Sequence, residues 1–236
     1  MSSAVIDPHI VLQALQERWG QKTILRGRDL ALPARLPSGF APLDSLLSGG
    51  LPIGRISEFI GRPTSGKTTV ALSLLISAQR QGAIAVLIDP ACHADPDYLA
   101  RLGIIIADLL IVRASVEEAM ALLRDIVASR IPCAILLDLP NRLSYRDSAA
   151  VTHELRRALP VLTGTQTLLV VLSPYPITLV PGVAARLVFS NEGWLTEEGD
   201  VTGCRVTVAV RRELGGVEKV ATLDLAFADS FAGGGS

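Results

Sequence analysis

Cysteine, aromatic side chains and any excess of basic charge are scarce in this chain of 236 residues. The three cysteines, Cys92, Cys133 and Cys204, have no metal-ligand spacing and cannot all pair. A disulfide framework and a thiolate zinc site are thereby excluded, and a reduced, cytoplasmic setting is expected. Lys and Arg number 22 against 23 Asp and Glu, a formal net charge of −1. The broad basic field of a protein dominated by phosphate-backbone contacts is therefore missing. The local clusters Arg26, Arg28, Arg35 and Arg205, Arg211, Arg212 read as solvated faces. Long apolar runs are missing too. The Leu168–Leu172 run has the length of a strand, so no membrane partner is expected. No basic-then-apolar leader opens the chain, and no internal repeat is visible. With aromatics at 4% and total hydrophobic content at 49%, Leu, Val, Ile and Ala must fill the core. The length suits one domain with a small appendage.

What is present is concentrated between residues 61 and 68. Gly61-Arg62-Pro63-Thr64-Ser65-Gly66-Lys67-Thr68 is a complete G-x-x-x-x-G-K-[ST] phosphate loop. A polyphosphate is a dense anion, and side chains alone cannot wrap it. A glycine-rich turn can, because its backbone N–H groups converge as a nest. Gly61 and Gly66 permit the turn, Lys67 would reach the β- and γ-phosphates, and the Thr68 hydroxyl would ligate Mg²⁺. The flanks fit. Residues 55–60 alternate as a strand, and Thr69 opens a strong helix-forming stretch to Arg80. Strand, loop and helix place the phosphates at the positive helix N-terminus.

Further along, apolar runs of strand length alternate with helical patterns. A first helix is expected over residues 8–19, capped by Asp7 and stopped at Gly20. Val11, Leu15 and Trp19 share one face of it, which suggests self-association or docking on the core. Strands are expected at 83–88, 109–112, 133–137 and 167–172, with helices at 96–102, 115–129 and 148–161. Ser115 and Glu118 form a capping-box pair. Apolar strands separated by helices signal a parallel sheet covered on both faces. After Pro181 the strands at 185–190, 204–212 and 219–227 are joined by short turns, so the sheet is expected to end antiparallel. In such sheets ligands bind at the carboxyl ends of strands. Asp89 and Asp138 both stand there. Asp138 fits the acidic group that holds Mg²⁺ opposite Thr68. Asp89 is read equally as a metal-side group or as the start of a turn.

Several segments go beyond a generic phosphate loop. They are Ser38-Gly-Phe-Ala-Pro-Leu-Asp44, Gly49-Gly-Leu-Pro-Ile-Gly-Arg-Ile-Ser-Glu58 and Ile88-Asp-Pro-Ala-Cys-His-Ala-Asp-Pro-Asp-Tyr98. With the phosphate loop they closely resemble the bacterial RecA recombinase family, as do the opening helix and Trp19-Gly-Gln-Lys-Thr-Ile-Leu25. The resemblance runs from about residue 8 to Phe227, without a counterpart to the family's separate C-terminal domain. It implies an α/β RecA-like core over residues 37–228, mostly parallel with antiparallel strands at its end. An N-terminal helix-and-strand segment over 1–36 would mediate oligomerisation, and 229–236 would form a tail. By position, Tyr98 matches the residue that stacks on adenine and Asp95 the one that accepts from its exocyclic amine. Thr69 completes the nucleotide-binding set. The two lysines that reach ATP from a neighbouring subunit fall on Val210 and Arg212. Arg212 is read either as a trans-acting group on the γ-phosphate or as an exposed strand arginine.

The departures from the family are equally informative. The glutamate that activates the attacking water falls on Ala91, and the glutamine that senses the γ-phosphate falls on Pro174. Both segments that would grip DNA are short, and the second is rich in proline and almost uncharged. Two readings of function follow. One is an ATP- and Mg²⁺-dependent DNA-repair and recombination ATPase that forms filaments on single-stranded DNA. The other is a degenerate relative that binds ATP and serves as an interaction module, with a DNA-repair protein as partner. Ala91 and Pro174 favour the second.

Overall fold

The computed structural model describes residues 8–21, 23–24, 32–176, 182–211 and 218–227. The chain divides into two compact units, Met1–Pro33 and Ala34–Ser236. In the first, α1 (Pro8–Trp19) is the expected helix. Gly20 ends it at φ +94°, and its N–H donates to Gln16 O at 2.8 Å. Gln16 Nε2 then reaches Ile24 O at 2.8 Å, tying the following turn to the helix. The proposed cap Asp7 lies outside the described residues.

The second unit opens with a two-stranded clip, β1 (Arg35–Leu36) against β2 (Leu51–Pro52), around the short helix α2 (Ala41–Leu46). Ser38 N–H donates to Asp44 Oδ1 at 2.7 Å and fixes the turn into α2. The main elements follow in alternation: β3 (Ile56–Ile60), α3 (Lys67–Arg80), β4 (Ile84–Ile88), α4 (Pro96–Arg101), β5 (Leu109–Val112), α5 (Val116–Ser129), β6 (Cys133–Asp138), α6 (Tyr145–Leu162) and β7 (Thr167–Ser173). The chain ends in β8 (Ala185–Glu197), β9 (Asp200–Arg211) and β10 (Lys219–Ala226). The sheet order is β10-β9-β8-β3-β7-β6-β4-β5. Strands β8 to β5 in that order are mutually parallel, and β9 and β10 are antiparallel. This is the expected α/β class, with the reversal at the C-terminal edge.

Successive strand residues feed opposite faces. Ala134 and Leu136 of β6 and Val170 and Leu172 of β7 pack with Val70, Leu74 and Leu75 of α3. Ile135, Leu137, Leu169 and Val171 join a second core with Leu123 of α5 and Leu155 of α6. A buried ion pair ties two strands of the sheet together. Glu58, 2% exposed, accepts from Arg186 Nε at 2.7 Å across the β3–β8 pairing. Removing one partner of such a buried pair typically costs about 3–5 kcal/mol.

Boundaries moved where polar residues masked an element. Helix α6 begins at Tyr145, three residues before the expected start, because Ser144 accepts from Asp147 N–H at 3.1 Å and caps it. Helix α5 carries the expected capping box. Strands β8 and β9 run well beyond the apolar stretches, joined by Glu198-Gly199 with φ of +52° and +95°. Positive φ at both central residues matches the twist of a two-residue hairpin.

Candidate nucleotide site

β3 delivers the chain to the site. Its end is locked by Gly61 N–H donating to Ser173 O at 3.1 Å, and α3 begins at Lys67 directly after the loop. Within the loop Ser65 N–H donates to Arg62 O at 3.2 Å, while Thr64 and Gly66 take φ of +66° and +82°. These left-handed residues turn the loop back on itself, the kind of backbone geometry in which free amides at a helix N-terminus form an anion-binding nest. Gly66 is required twice over. A Cβ there would lie 2.6 Å from Leu225 Cδ1 and 2.8 Å from Val206 Cγ1, in addition to the φ penalty. The antiparallel ribbon therefore roofs the loop. It also grips it, since Asn191 Nδ2 donates to Thr64 O at 3.0 Å. A bulge between Asn191 and Gly193 presents that amide, and Asn191 Oδ1 accepts from Gly193 N–H at 2.8 Å.

A cavity of about 260 Å³ opens beside the loop. Its walls bring together Pro63, Thr64, Lys67 and Thr68 with Asp95, Tyr98 and Asp138. Its floor is apolar, formed by Leu72, Leu87, Leu99, Leu136 and Leu172. Gly61, Arg62, Ser65, Gly66 and Thr69 belong to the loop and first helical turn but do not line the cavity. Arg212 lies outside the described residues.

Lys67 is buried, and desolvation pulls its pKa below the ordinary lysine value, partly offset by the charge of Asp138. Asp138 is half-buried, and desolvation pushes its carboxyl up. Lys67 and His93 oppose that rise, and Asp89 adds to it. Cation and anion thus face each other in a poorly solvated setting that neither satisfies alone. An anion beside Lys67 and a divalent cation beside Asp138 would relieve both. Thr68 and Asp138 offer hard oxygen ligands suited to Mg²⁺. No group of three His, Cys, Asp or Glu able to hold a metal occurs among the described residues. A cation here would therefore share its shell with phosphate oxygens and water, as Mg²⁺ commonly does.

Asp89 takes the turn-building role. It is 1% exposed, and its Oδ1 and Oδ2 accept from His93 N–H at 3.0 Å and Ala94 N–H at 2.9 Å. Arg113 Nε lies 3.9 Å from Oδ2, and Arg113 Nη2 donates to Ala94 O at 2.6 Å. Asp95 Oδ1 caps α4 by accepting from Asp97 N–H at 2.9 Å, which leaves Oδ2 available to the cavity. One turn on, the half-buried Tyr98 packs against the core with its hydroxyl 3.5 Å from Thr69 Oγ1. Ala91 and Pro174 do not line the cavity. Three polar groups escaped the sequence reading. Asn141 lines the cavity without any motif to announce it. Asn191 was signalled only by a glycine two residues on, inside a strand pattern. The buried Glu58 was signalled by a lone acid between apolar strand residues.

Parallel strands whose carboxyl ends meet a phosphate loop at a helix N-terminus define the phosphate-loop nucleotide-binding class. Within that class, the RecA N-terminal domain model matches residues 9–146. The chain belongs to the RecA family. It is 37% identical over 133 residues to Protein RecA of Picosynechococcus sp., a match covering 55% of this chain and 38% of the relative. It is 40% identical over 122 residues to Protein RecA of Paenarthrobacter aurescens, covering 50% of this chain and 35% of the relative. A third match, to Protein RecA of Nostoc punctiforme, is 37% identical over 132 residues, 55% of this chain and 37% of the relative. The matched region spans less than two-fifths of the length of each of these relatives.

Proposed function

We propose that this chain is a RecA-type protein of DNA repair and recombination that binds MgATP and hydrolyses it very slowly, without stimulation by DNA. The observation that carries this reading is the content of one cavity. Lys67, Thr68, Asp138, Asp95 and Tyr98 share its walls, whereas Ala91 and Pro174 do not line it. In this reading Lys67 and the loop amides hold the β- and γ-phosphates. Thr68 and Asp138 hold Mg²⁺, whose bound form bridges and neutralises the phosphate oxygens. Tyr98 stacks on the base, and Asp95 Oδ2 accepts from the exocyclic amine.

Hydrolysis needs a group that orients or deprotonates water, and its loss typically costs about 10²–10⁴-fold in rate. Alanine at position 91 supplies neither function. Asp89 cannot readily substitute, because its oxygens already hold the backbone of residues 93 and 94. Residues 174–182 carry no charge, which removes the phosphate-contacting side chains that a DNA-gripping loop uses. The protein then acts as a nucleotide-bound interaction module with a repair protein as partner.

The competing reading is a filament-forming, DNA-dependent ATPase on single-stranded DNA, with Arg212 acting in trans. Family membership favours it. Residues 1–36 serve as the oligomerisation segment in either case, attached to a core over 37–228. A cytoplasmic setting fits both readings. No helix among the described residues is long and apolar enough to cross a membrane.

A steady-state ATPase assay with and without single-stranded DNA separates the two. Negligible turnover in both arms is expected, and robust DNA-stimulated turnover would overturn the proposal. Calorimetry with Lys67→Ala tests the site itself. MgATP affinity is expected to fall at least about 100-fold, or roughly 2.7 kcal/mol. Unchanged affinity would refute the assignment.

A further inference from the structure

The loop that follows β4 fixes the backbone of a residue that neither the phosphate loop nor the adenine contacts require. Residues 89–94 fold back on Asp89. Cys92 N–H donates to Asp89 O at 3.1 Å, and the His93 and Ala94 amides donate to its carboxylate. Cys92 takes φ +55°, and Arg113 holds Ala94 O from outside. The backbone on both sides of His93 is thereby fixed, and only its side-chain torsions remain free. His93 lines the cavity with Lys67, Thr68 and Asp138. It also lies close enough to Asp138 for its charge to favour the ionised carboxylate.

The charge balance of the cavity gives that placement a purpose. Its lining carries three carboxylates, Asp89, Asp95 and Asp138, and two side chains able to donate as cations, Lys67 and His93. Lys67 and the loop amides suffice for a diphosphate. A third phosphate brings further negative charge toward Asp138 and needs another donor. Proline at 174 and alanine at 91 have no side-chain donor to give.

We propose that His93 recognises the terminal phosphate. Its imidazole N–H donates to a γ-phosphate oxygen from within the same subunit, so that the site prefers nucleoside triphosphate over diphosphate. The inference rests on the nucleotide-binding reading of the cavity. It does not require a protonated ring, because neutral imidazole also carries one N–H donor. A hydrogen bond to a charged acceptor from a backbone-fixed donor commonly changes affinity about tenfold or more.

The test titrates wild type, His93→Ala and His93→Gln with MgADP and with the Mg²⁺ complex of a β,γ-imido triphosphate analogue, by calorimetry. Wild type is expected to bind the triphosphate analogue more tightly than MgADP. His93→Ala is expected to weaken the analogue about tenfold and to leave MgADP within about twofold. His93→Gln, which restores an N–H donor, is expected to recover part of the loss. Equal weakening of both ligands would show a merely structural role and overturn the proposal, as would no change in either. Wild type binding neither nucleotide would overturn the nucleotide reading together with the contact. Wild type binding both, with His93→Ala indistinguishable from it, would overturn the contact alone. Since His93 is exposed, the variants are expected to melt with wild type, which a thermal scan checks.

Discussion

The phosphate loop and the ends of the neighbouring strands lie side by side, yet they are built to different standards. In the loop every feature converges. Gly66 is fixed by φ and by Leu225, Thr64 O is held by Asn191, and Lys67 opens α3 directly after the loop. At the end of β4 the turn is held by Asp89, but Ala91 there and Pro174 after β7 bring no reactive group. Order and reactivity are therefore separable. Under the proposed function, the fold keeps the geometry that captures a nucleotide while lacking the groups that would consume it.

Three measurements would break or sharpen that contrast. The largest effect is expected at Gly66→Ala. A methyl group must displace Val206 and Leu225 while the residue keeps a left-handed φ, a cost of roughly 2–4 kcal/mol. Urea denaturation should show this as a lower midpoint at unchanged slope. A loss below about 0.5 kcal/mol would mean that the ribbon does not press on the loop. Next comes Ala91→Glu, which returns a carboxylate to the end of β4. Turnover should rise about 10–100-fold if the water-activating group is what hydrolysis lacks. No increase, with MgATP affinity intact, would place the block elsewhere, Pro174 first. The smallest effect concerns Asp138. Burial raises its pKa above the ordinary 3.8, so ionising it costs the nucleotide-free protein stability as pH rises past that value. Asp138→Asn behaves as the permanently neutral form. Its melting temperature relative to wild type should climb as pH rises from about 3.5 to 6, without nucleotide. With saturating MgATP the order should reverse. A relative melting temperature that falls over that range without nucleotide would show that the carboxylate is stabilised rather than strained.

The strand, loop and helix around residue 61 were readable because each obeys a local rule, glycine spacing in one and hydrophobic period in the others. Asp138 was readable because an acid ending an apolar strand is conspicuous. Asp89 looked the same in sequence, and only the fold shows its carboxylate turned onto the amides of His93 and Ala94. The long hairpin of β8 and β9 was underestimated because residues 190–200 are mostly polar, yet 190–197 continue the ladder by pairing with 200–207. Asn191 and Arg186 act across distances of more than a hundred residues in sequence, on Thr64 and Glu58, and no local pattern encodes such a meeting.

The sheet order carries a consequence for how the molecule comes into being. Strand β3, which leads into the phosphate loop, finds both its hydrogen-bonded neighbours in β7 and β8, from Thr167 onward. The segment most recognisable by family, residues 9–146, contains β3 and β6 but not the strand that lies between them. Truncated there, it would be a sheet with its middle missing. During synthesis the phosphate loop leaves the ribosome early and must wait, unsupported, for a C-terminal part outside that match. Pairings so distant in sequence close late and slowly. The pocket then takes shape only once β7 has inserted between β3 and β6, and a chain that stalls before β7 lacks both that strand and Leu172, which lines the cavity.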